Sequence, residues 1–185
     1  HLVYRANLHE AERQIQRGLQ LPPGLNPRTR ELAQRWRAAG ANDAAVVRAA
    51  LAHFNRENFR YTLEPPPLPG SNSIDEFLFE TRQGFCEHYA GSFVVLMRAA
   101  HIPARVVTGY QGGEYNDVGG YYIVRQSDAH AWAEVWLYGQ GWVRIDPTAA
   151  IAPARVERNL AAAIPDTAAL PFMARRTSPE DPALG

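Results

Sequence analysis

Along the first third of the chain, apolar side chains recur every three to four positions in a background rich in arginine and alanine, the spacing of helices with one buried face. Asn26-Pro27 offers a cap followed by proline at the first helical position, Leu32 and Trp36 lie four apart, and Gly40 ends the run. Asn42-Asp43 opens a second helix, with Val46, Val47, Ala50, Leu51 and Phe54 as its core stripe. The proline-rich stretch 64–70 can be neither helix nor central strand and reads as a loop. Beyond it the pattern predicts a short helix over 74–79 and a longer one over 85–100. Ala90, Phe93, Val94 and Met97 share one face of the longer helix, and Ile102-Pro103 stops it. Strand patterns follow at 105–110, 121–125, 130–137 and 142–146, separated by Gly-Gly, Ser-Asp and Tyr-Gly-Gln-Gly turns. Helices that lead into consecutive strands predict an α+β domain with an antiparallel sheet. Three zones result: a helical lead-in over 1–60 packed on the core, a core over 61–150, and an Ala- and Pro-rich strap and linker over 151–185. There is no internal repeat.

Composition narrows the function classes. With 46% apolar and 21% charged residues in 185, the chain is an ordinary globular one and not a disordered one. Nineteen Lys+Arg balance nineteen Asp+Glu, which argues against a nucleic-acid or anionic-membrane partner held by bulk charge. One cysteine excludes an internal disulfide framework and multi-cysteine metal sites. No run approaches the ~18 apolar residues of a membrane span. The start at His1, without an initiator Met or a signal peptide, suggests a piece of a longer protein.

The candidate chemistry begins at Cys86, in the first turn of the longer helix, where backbone N–H groups and the positive helix end favour a thiolate. Taken alone, a single cysteine is more often a small buried apolar side chain. His130 opens one strand, and Asp146 ends the next, held extended by Pro147. If Leu137 pairs with Gly141 across the turn, Trp132 faces Asp146 and His130 is its diagonal neighbour, roughly 7–8 Å away and within side-chain reach. A base oriented by a carboxylate beside a helix-start cysteine is what nucleophilic thiol catalysis requires. Each partner also has a plainer reading, His130 as a polar strand end and Asp146-Pro147 as a turn. Asp128, two residues before His130 and able to share its face, rivals Asp146. His88 points away from Cys86 and reads as structural, and His1, His9, His53 and His101 have no companion acid or thiol. Cys86, Glu87 and His88 are adjacent and not spaced as ligands, and no His-Glu-x-x-His occurs, so neither a metal nor a cofactor is expected. The Gly-Gly pairs at 112–113 and 119–120 lack a phosphate-loop lysine and read as hinges. Trp132, Trp136 and Trp142 read as core or cleft wall, and the tyrosines around 110–122 as the mouth of a cleft.

Four segments in order resemble the transglutaminase-like core of the papain-like superfamily. They are Gln83-Gly84-Phe85-Cys86-Glu87-His88-Tyr89-Ala90, Ile102-Pro103-Ala104-Arg105-Val106-Val107-Thr108-Gly109-Tyr110, His130-Ala131-Trp132-Ala133-Glu134-Val135-Trp136 and Trp142-Val143-Arg144-Ile145-Asp146-Pro147-Thr148. The likeness covers roughly 55–150. Pro22-Pro23-Gly24-Leu25, the helices after it and the strap over 149–160 are most similar to the periplasmic domain of TgpA-type bacterial inner-membrane proteins. The resemblance implies a papain-like fold, a triad of Cys86, His130 and Asp146 in preference to Asp128, and a periplasmic place beside membrane helices absent here. It also implies acyl transfer from a protein or peptide glutamine to an amine through a thioester. It leaves the second oxyanion donor, beside the Cys86 N–H, to Gln83 or Asn72. Animal relatives use calcium, yet no acidic cluster here has the spacing of a calcium loop. The same triad serves a cysteine peptidase, amidase or deamidase, and a cleft of this kind also suits a non-catalytic peptide-binding module.

Overall fold

Of the 185 residues, the structure, a computed structural model, describes 8–40 and 42–152. The strap expected beyond residue 152 lies outside the described residues. The lead-in folds as α1 (Leu8–Arg17), α2 (Pro27–Ala39) and α3 (Asp43–Arg56). Asn42 caps α3 as the sequence predicts, its side chain accepting from the Ala45 N–H at 2.9 Å.

Asn26 does not cap its own helix. It sits in the left-handed region at φ 53°, which asparagine tolerates, and its side chain turns elsewhere. The cap of α2 comes from Asp75, 46 residues on: its carboxylate accepts from the N–H groups of Arg28 and Thr29 and from the Thr29 hydroxyl. Asn26 Oδ1 in return accepts from the N–H groups of Ile74 and Asp75 at the start of α4 (Ser73–Glu76). The two helix starts therefore cap each other, which local sequence cannot reveal.

The helix expected over 74–79 is split into α4 and a π-helical turn, Phe77–Thr81, that closes at Arg82 with φ 50°. That turn feeds β2 (Gln83–Gly84), which pairs in parallel with β1 (Arg60–Tyr61), the chain between them running through the proline-rich loop, α4 and the π-helical turn. α5 (Cys86–Ala99) follows and is buried nearly all round, with Tyr89, Ala90, Phe93, Leu96 and Met97 fully inaccessible. Helices α2 and α3 cover one side of it, and the sheet covers the other. Edge-to-face contacts among Phe54, Phe59, Phe77 and Tyr89, at centroid distances of 5.1–6.1 Å, join α3, the β1 approach and α5 in one core. Leu32, Val46 and Phe54 of the lead-in belong to the same cluster as Phe93 and Val135.

The sheet has the antiparallel order β3 (Ala104–Tyr110), β6 (Ala129–Leu137), β7 (Gly141–Ile145). Between β3 and β6, β4 (Glu114–Asn116) and β5 (Tyr121–Ile123) form a separate hairpin. The strand expected over 121–125 stops at Ile123, because Asp128 Oδ2 accepts from the Arg125 N–H at 2.7 Å and curls the chain into a 3-10 turn. Leu137 pairs with Gly141, and Gly139 adopts φ 78° within the intervening turn. The α+β architecture with an antiparallel sheet is thus the one predicted.

Candidate active site

The sulfur, ring and carboxylate come from three elements. Cys86 is the first residue of α5, so its own N–H has no partner within the helix. It clusters with Ala90, one turn on in the same helix, and Ala131 of β6, both buried, whose small side chains let α5 approach β6 closely. His130, second in β6, is 7% exposed and reaches the Cys86 sulfur with one ring nitrogen. The other, Nε2, lies 2.8 Å from Asp146 Oδ2. The β6–β7 ladder runs from Leu137–Gly141 to Ala133–Ile145, so Asp146 follows one step further, opposite Trp132, in the register expected from the turn. Its second oxygen, Oδ1, accepts from the Thr148 N–H at 3.2 Å and caps the 3-10 turn Pro147–Ala150. One carboxylate oxygen thus anchors the residue while the other holds the imidazole.

Two layers brace the ring. Trp132 stacks near His130 at a centroid distance of 6.3 Å and 25° between planes, and the Arg144 guanidinium lies 4.5 Å from the Trp132 ring centroid. Arg144 Nη2 is also 3.4 Å from Asp146 Oδ2. Gly109 faces His130 across β3–β6, and a Cβ there would come within 3.0 Å of Trp132 Cη2. A side chain there would make the indole give way by a few tenths of an ångström.

Burial pushes the Cys86 thiol up, but hydrogen bonds from His130 and from the Ala131 and Glu87 N–H groups outweigh it, and the thiol falls below its ordinary range. Burial lowers the pKa of His130, yet its hydrogen bonds to Asp146 and Cys86, with the charges of both, carry it up to about 9. Both shifts favour the same charged pair, a thiolate facing an imidazolium.

The sulfur opens into a cleft of about 390 Å³ lined by Tyr61, Leu63, Phe85, Glu87, Thr108, Gly109, Gln126, Ser127 and Ala129, besides Cys86, His130 and Ala131. Asp128, the rival acid, is committed to capping Arg125. His88 turns back on its own helix start, Nδ1 accepting from the Phe85 N–H at 3.4 Å. Neither proposed side-chain oxyanion donor is on the cleft wall. Asn72 Oδ1 accepts from the Asn26 N–H at 2.7 Å in the clamp of α2 and α4, and Gln83 pairs with Arg60 in the small parallel sheet. Among the described residues, no group of three or more His, Cys, Asp or Glu side chains could hold a metal ion. Arg144 was missed in the sequence. Arg144 lies two residues before Asp146 on one strand, so period-two alternation places both on one face and gave the signal.

Residues 30–147 match the model of the transglutaminase-like superfamily, starting well before the expected residue 55 and so taking in the helices that share the core of α5. A protein-glutamine γ-glutamyltransferase of Pseudomonas aeruginosa is 54% identical over 148 residues, 80% of this chain and 22% of its own length. An uncharacterised Bacillus subtilis protein, YebA, is 38% identical over 138 residues, 71% of this chain and 19% of its own. The crystal structure of the periplasmic domain of TgpA from Pseudomonas aeruginosa superposes with a TM-score of 0.77 at 53% identity, covering 83% of this chain and 53% of that one. A Cytophaga hutchinsonii structure described as a putative cysteine protease shares the fold, with a TM-score of 0.55 at 24% identity over 76% of this chain and 44% of its own. The chain thus spans about a fifth of the curated relatives it matches. With the family match extending over well over half of its residues, and thiol, imidazole and carboxylate joined in one cleft, the chain belongs to the transglutaminase-like superfamily.

Proposed function

We propose that this domain transfers the γ-acyl group of a protein or peptide glutamine to a primary amine, with Cys86 as nucleophile, His130 as acid and base, and Asp146 as the orienting carboxylate. The observation that carries the reading is the 2.8 Å contact between His130 Nε2 and Asp146 Oδ2, which leaves the other ring nitrogen to the Cys86 sulfur. The thiolate attacks the carboxamide carbon, and the developing oxyanion meets the Cys86 N–H at the start of α5. His130 gives its proton to the departing nitrogen, ammonia leaves, and a thioester remains. An amine then attacks the thioester, its proton returns to the ring, and the thiolate is restored. Water in place of the amine yields glutamate. The relative's name supports the glutamine donor.

The solved periplasmic domain at 54% identity supports a periplasmic location. Among the described residues no helix is long and apolar enough to cross a membrane. Mass spectrometry of a glutamine-containing peptide after incubation with the domain and a primary amine tests the assignment. An amine-substituted glutamine is the expected product. A cut backbone would move the domain to the peptidases, and an unaltered peptide would refute acyl chemistry altogether.

A further inference from the structure

Asp146 and Trp132 both bear on the His130 ring, and Arg144 touches both of them. Its Nη2 donates to Asp146 Oδ2 and to Gln111 Oε1, each at 3.4 Å, while the guanidinium lies 4.5 Å from the centroid of the Trp132 ring. Gln111 is a firm end point for it. That residue is buried, and its N–H donates to the Asp128 carbonyl at 2.8 Å, one step beyond the end of the β3–β6 ladder. Trp132, two residues before Glu134, and Asp146, two residues after Arg144, share one face of the sheet by period-two alternation.

The strand register offers Arg144 a different partner. Glu134 stands directly opposite it across β6–β7, and opposite charges in facing positions ordinarily pair. Glu134 also stands directly opposite Arg105 across β3–β6, and Arg105 is the partner it takes. Its Oε2 accepts from Arg105 Nε at 2.8 Å and lies 2.6 Å from Nη2. Arg105 is itself held in place, its guanidinium 4.2 Å from the Trp142 ring centroid and its Nη1 donating to Gln14 Oε1 at 3.4 Å. With its facing acid engaged by two nitrogens of Arg105, Arg144 leans instead to the diagonal position, where Trp132 and Asp146 lie.

We infer that Arg144 is a positioning residue for the acyl transfer, setting the His130 ring by fixing Asp146 and Trp132 together, and that the Arg105–Glu134 pair keeps Arg144 at that task. The inference rests on the acyl-transfer reading above. Arg144 is not among the residues lining the cleft, so its effect belongs in kcat and in the Cys86–His130 pair, not in KM. Its charge is not its main contribution. The side chain is 46% exposed and screened, and it draws on the same carboxylate oxygen as the ring. What it supplies is a planar group that can stack on an indole and donate to two acceptors at once.

The test compares wild type, Arg144→Met, Arg105→Met and the double variant Arg105→Met/Glu134→Ala. Two quantities are read at neutral pH: kcat and KM for a glutamine peptide with a fluorescent amine, and the rate at which iodoacetamide alkylates Cys86, the single cysteine. Methionine at 144 keeps a long side chain over the indole but drops the donors to Asp146 and Gln111. It should cut kcat about tenfold and slow alkylation, with KM for the peptide within about twofold of wild type. Arg105→Met frees Glu134 to draw Arg144 across the strand, and both readouts should fall similarly. The double variant has no acid to draw Arg144 away, and it should return both to within about twofold of wild type although it has lost one more charged group. Both Arg105 variants lose the contact with Trp142, so the difference between them reports Glu134 alone. Unchanged kcat in either single variant, or a double variant no better than Arg105→Met, would overturn the inference. Wild type that gives no product would instead overturn the acyl-transfer reading, and the alkylation rates would still decide the role of Arg144.

Discussion

Replacing Asp146 by asparagine isolates the charge that holds the imidazolium. Asparagine keeps the shape and keeps an oxygen to accept from the Thr148 N–H, so the 3-10 turn after β7 stays capped. What goes is the anion 2.8 Å from His130 Nε2. In the wild type the ring titrates at about 9 against an ordinary 6.5, about 2.5 pH units higher. At about 1.4 kcal/mol per unit this is about 3–4 kcal/mol in favour of the charged ring, net of a burial effect that opposes it. Without Asp146 only Cys86 still opposes burial, and the ring's pKa falls toward neutrality. The alkaline limb of kcat/KM should therefore move from near pH 9 to near neutral, and turnover should drop on the order of 10³–10⁴-fold as the imidazole loses its orientation. Stability follows the same sign. A raised histidine pKa stabilises the fold fully below about pH 6.5, and this contribution is lost as pH rises through about 9. The difference in Tm between wild type and Asp146→Asn should thus be widest near pH 6 and close above pH 9. The assays are a pH series with a fluorescent amine and a glutamine-containing protein, alongside thermal melts. Asp128→Asn, which alters only the Arg125 cap, is the control and should cost tenfold or less. An alkaline limb that stays near pH 9 in Asp146→Asn, or a larger loss in Asp128→Asn, would refute the assignment of the orienting carboxylate.

Three further outcomes follow from the geometry. Cys86, the single cysteine, should react with a thiol-directed reagent at rates that persist well below the pH of a free thiol, whose pKa is about 8.5, as a stopped-flow labelling profile would show. Gly109→Ala should leave the fold nearly intact but displace Trp132 from His130, cutting kcat about tenfold or more with little change in Tm; unaltered kcat would show the indole is no brace. Asp75→Ala should cost about 2–3 kcal/mol in chemical denaturation, because the start of α2 loses its cap and the buried Thr29 hydroxyl its acceptor, and a change within about 0.5 kcal/mol would disprove Asp75 as that cap.

The parts of the fold legible in the sequence are those fixed by neighbours along the chain. The turn between Leu137 and Gly141 sets the register of β6 on β7, and period-two alternation then carries it to Trp132 and Asp146. Asn42 announces α3 because its cap closes within three residues. What depends on distant partners stayed hidden. Asn26 carries the composition of a cap, but Asp75 does the capping, and nothing between them encodes the pairing. Strands of two residues, such as β1 and β2, are too short for alternation to register. The small residues Gly109, Ala90 and Ala131 show their purpose only when Trp132 and Cys86 are seen against them. The resemblance left the second oxyanion donor to Gln83 or Asn72. Asn72 is held in the α2–α4 clamp, and neither residue is among those lining the cleft.

The central claim is that the Cys86 sulfur carries the acyl group. Intact-mass measurement of the domain, acid-quenched during turnover with a glutamine peptide and no amine, tests it most directly. Wild type should gain the mass of the peptide less one ammonia, mapped to Cys86 and released by hydroxylamine. Cys86→Ala, with the fold preserved because a small side chain is removed from an open cleft, should gain nothing. An adduct of that mass on Cys86→Ala, or on any other residue of wild type, would contradict the account.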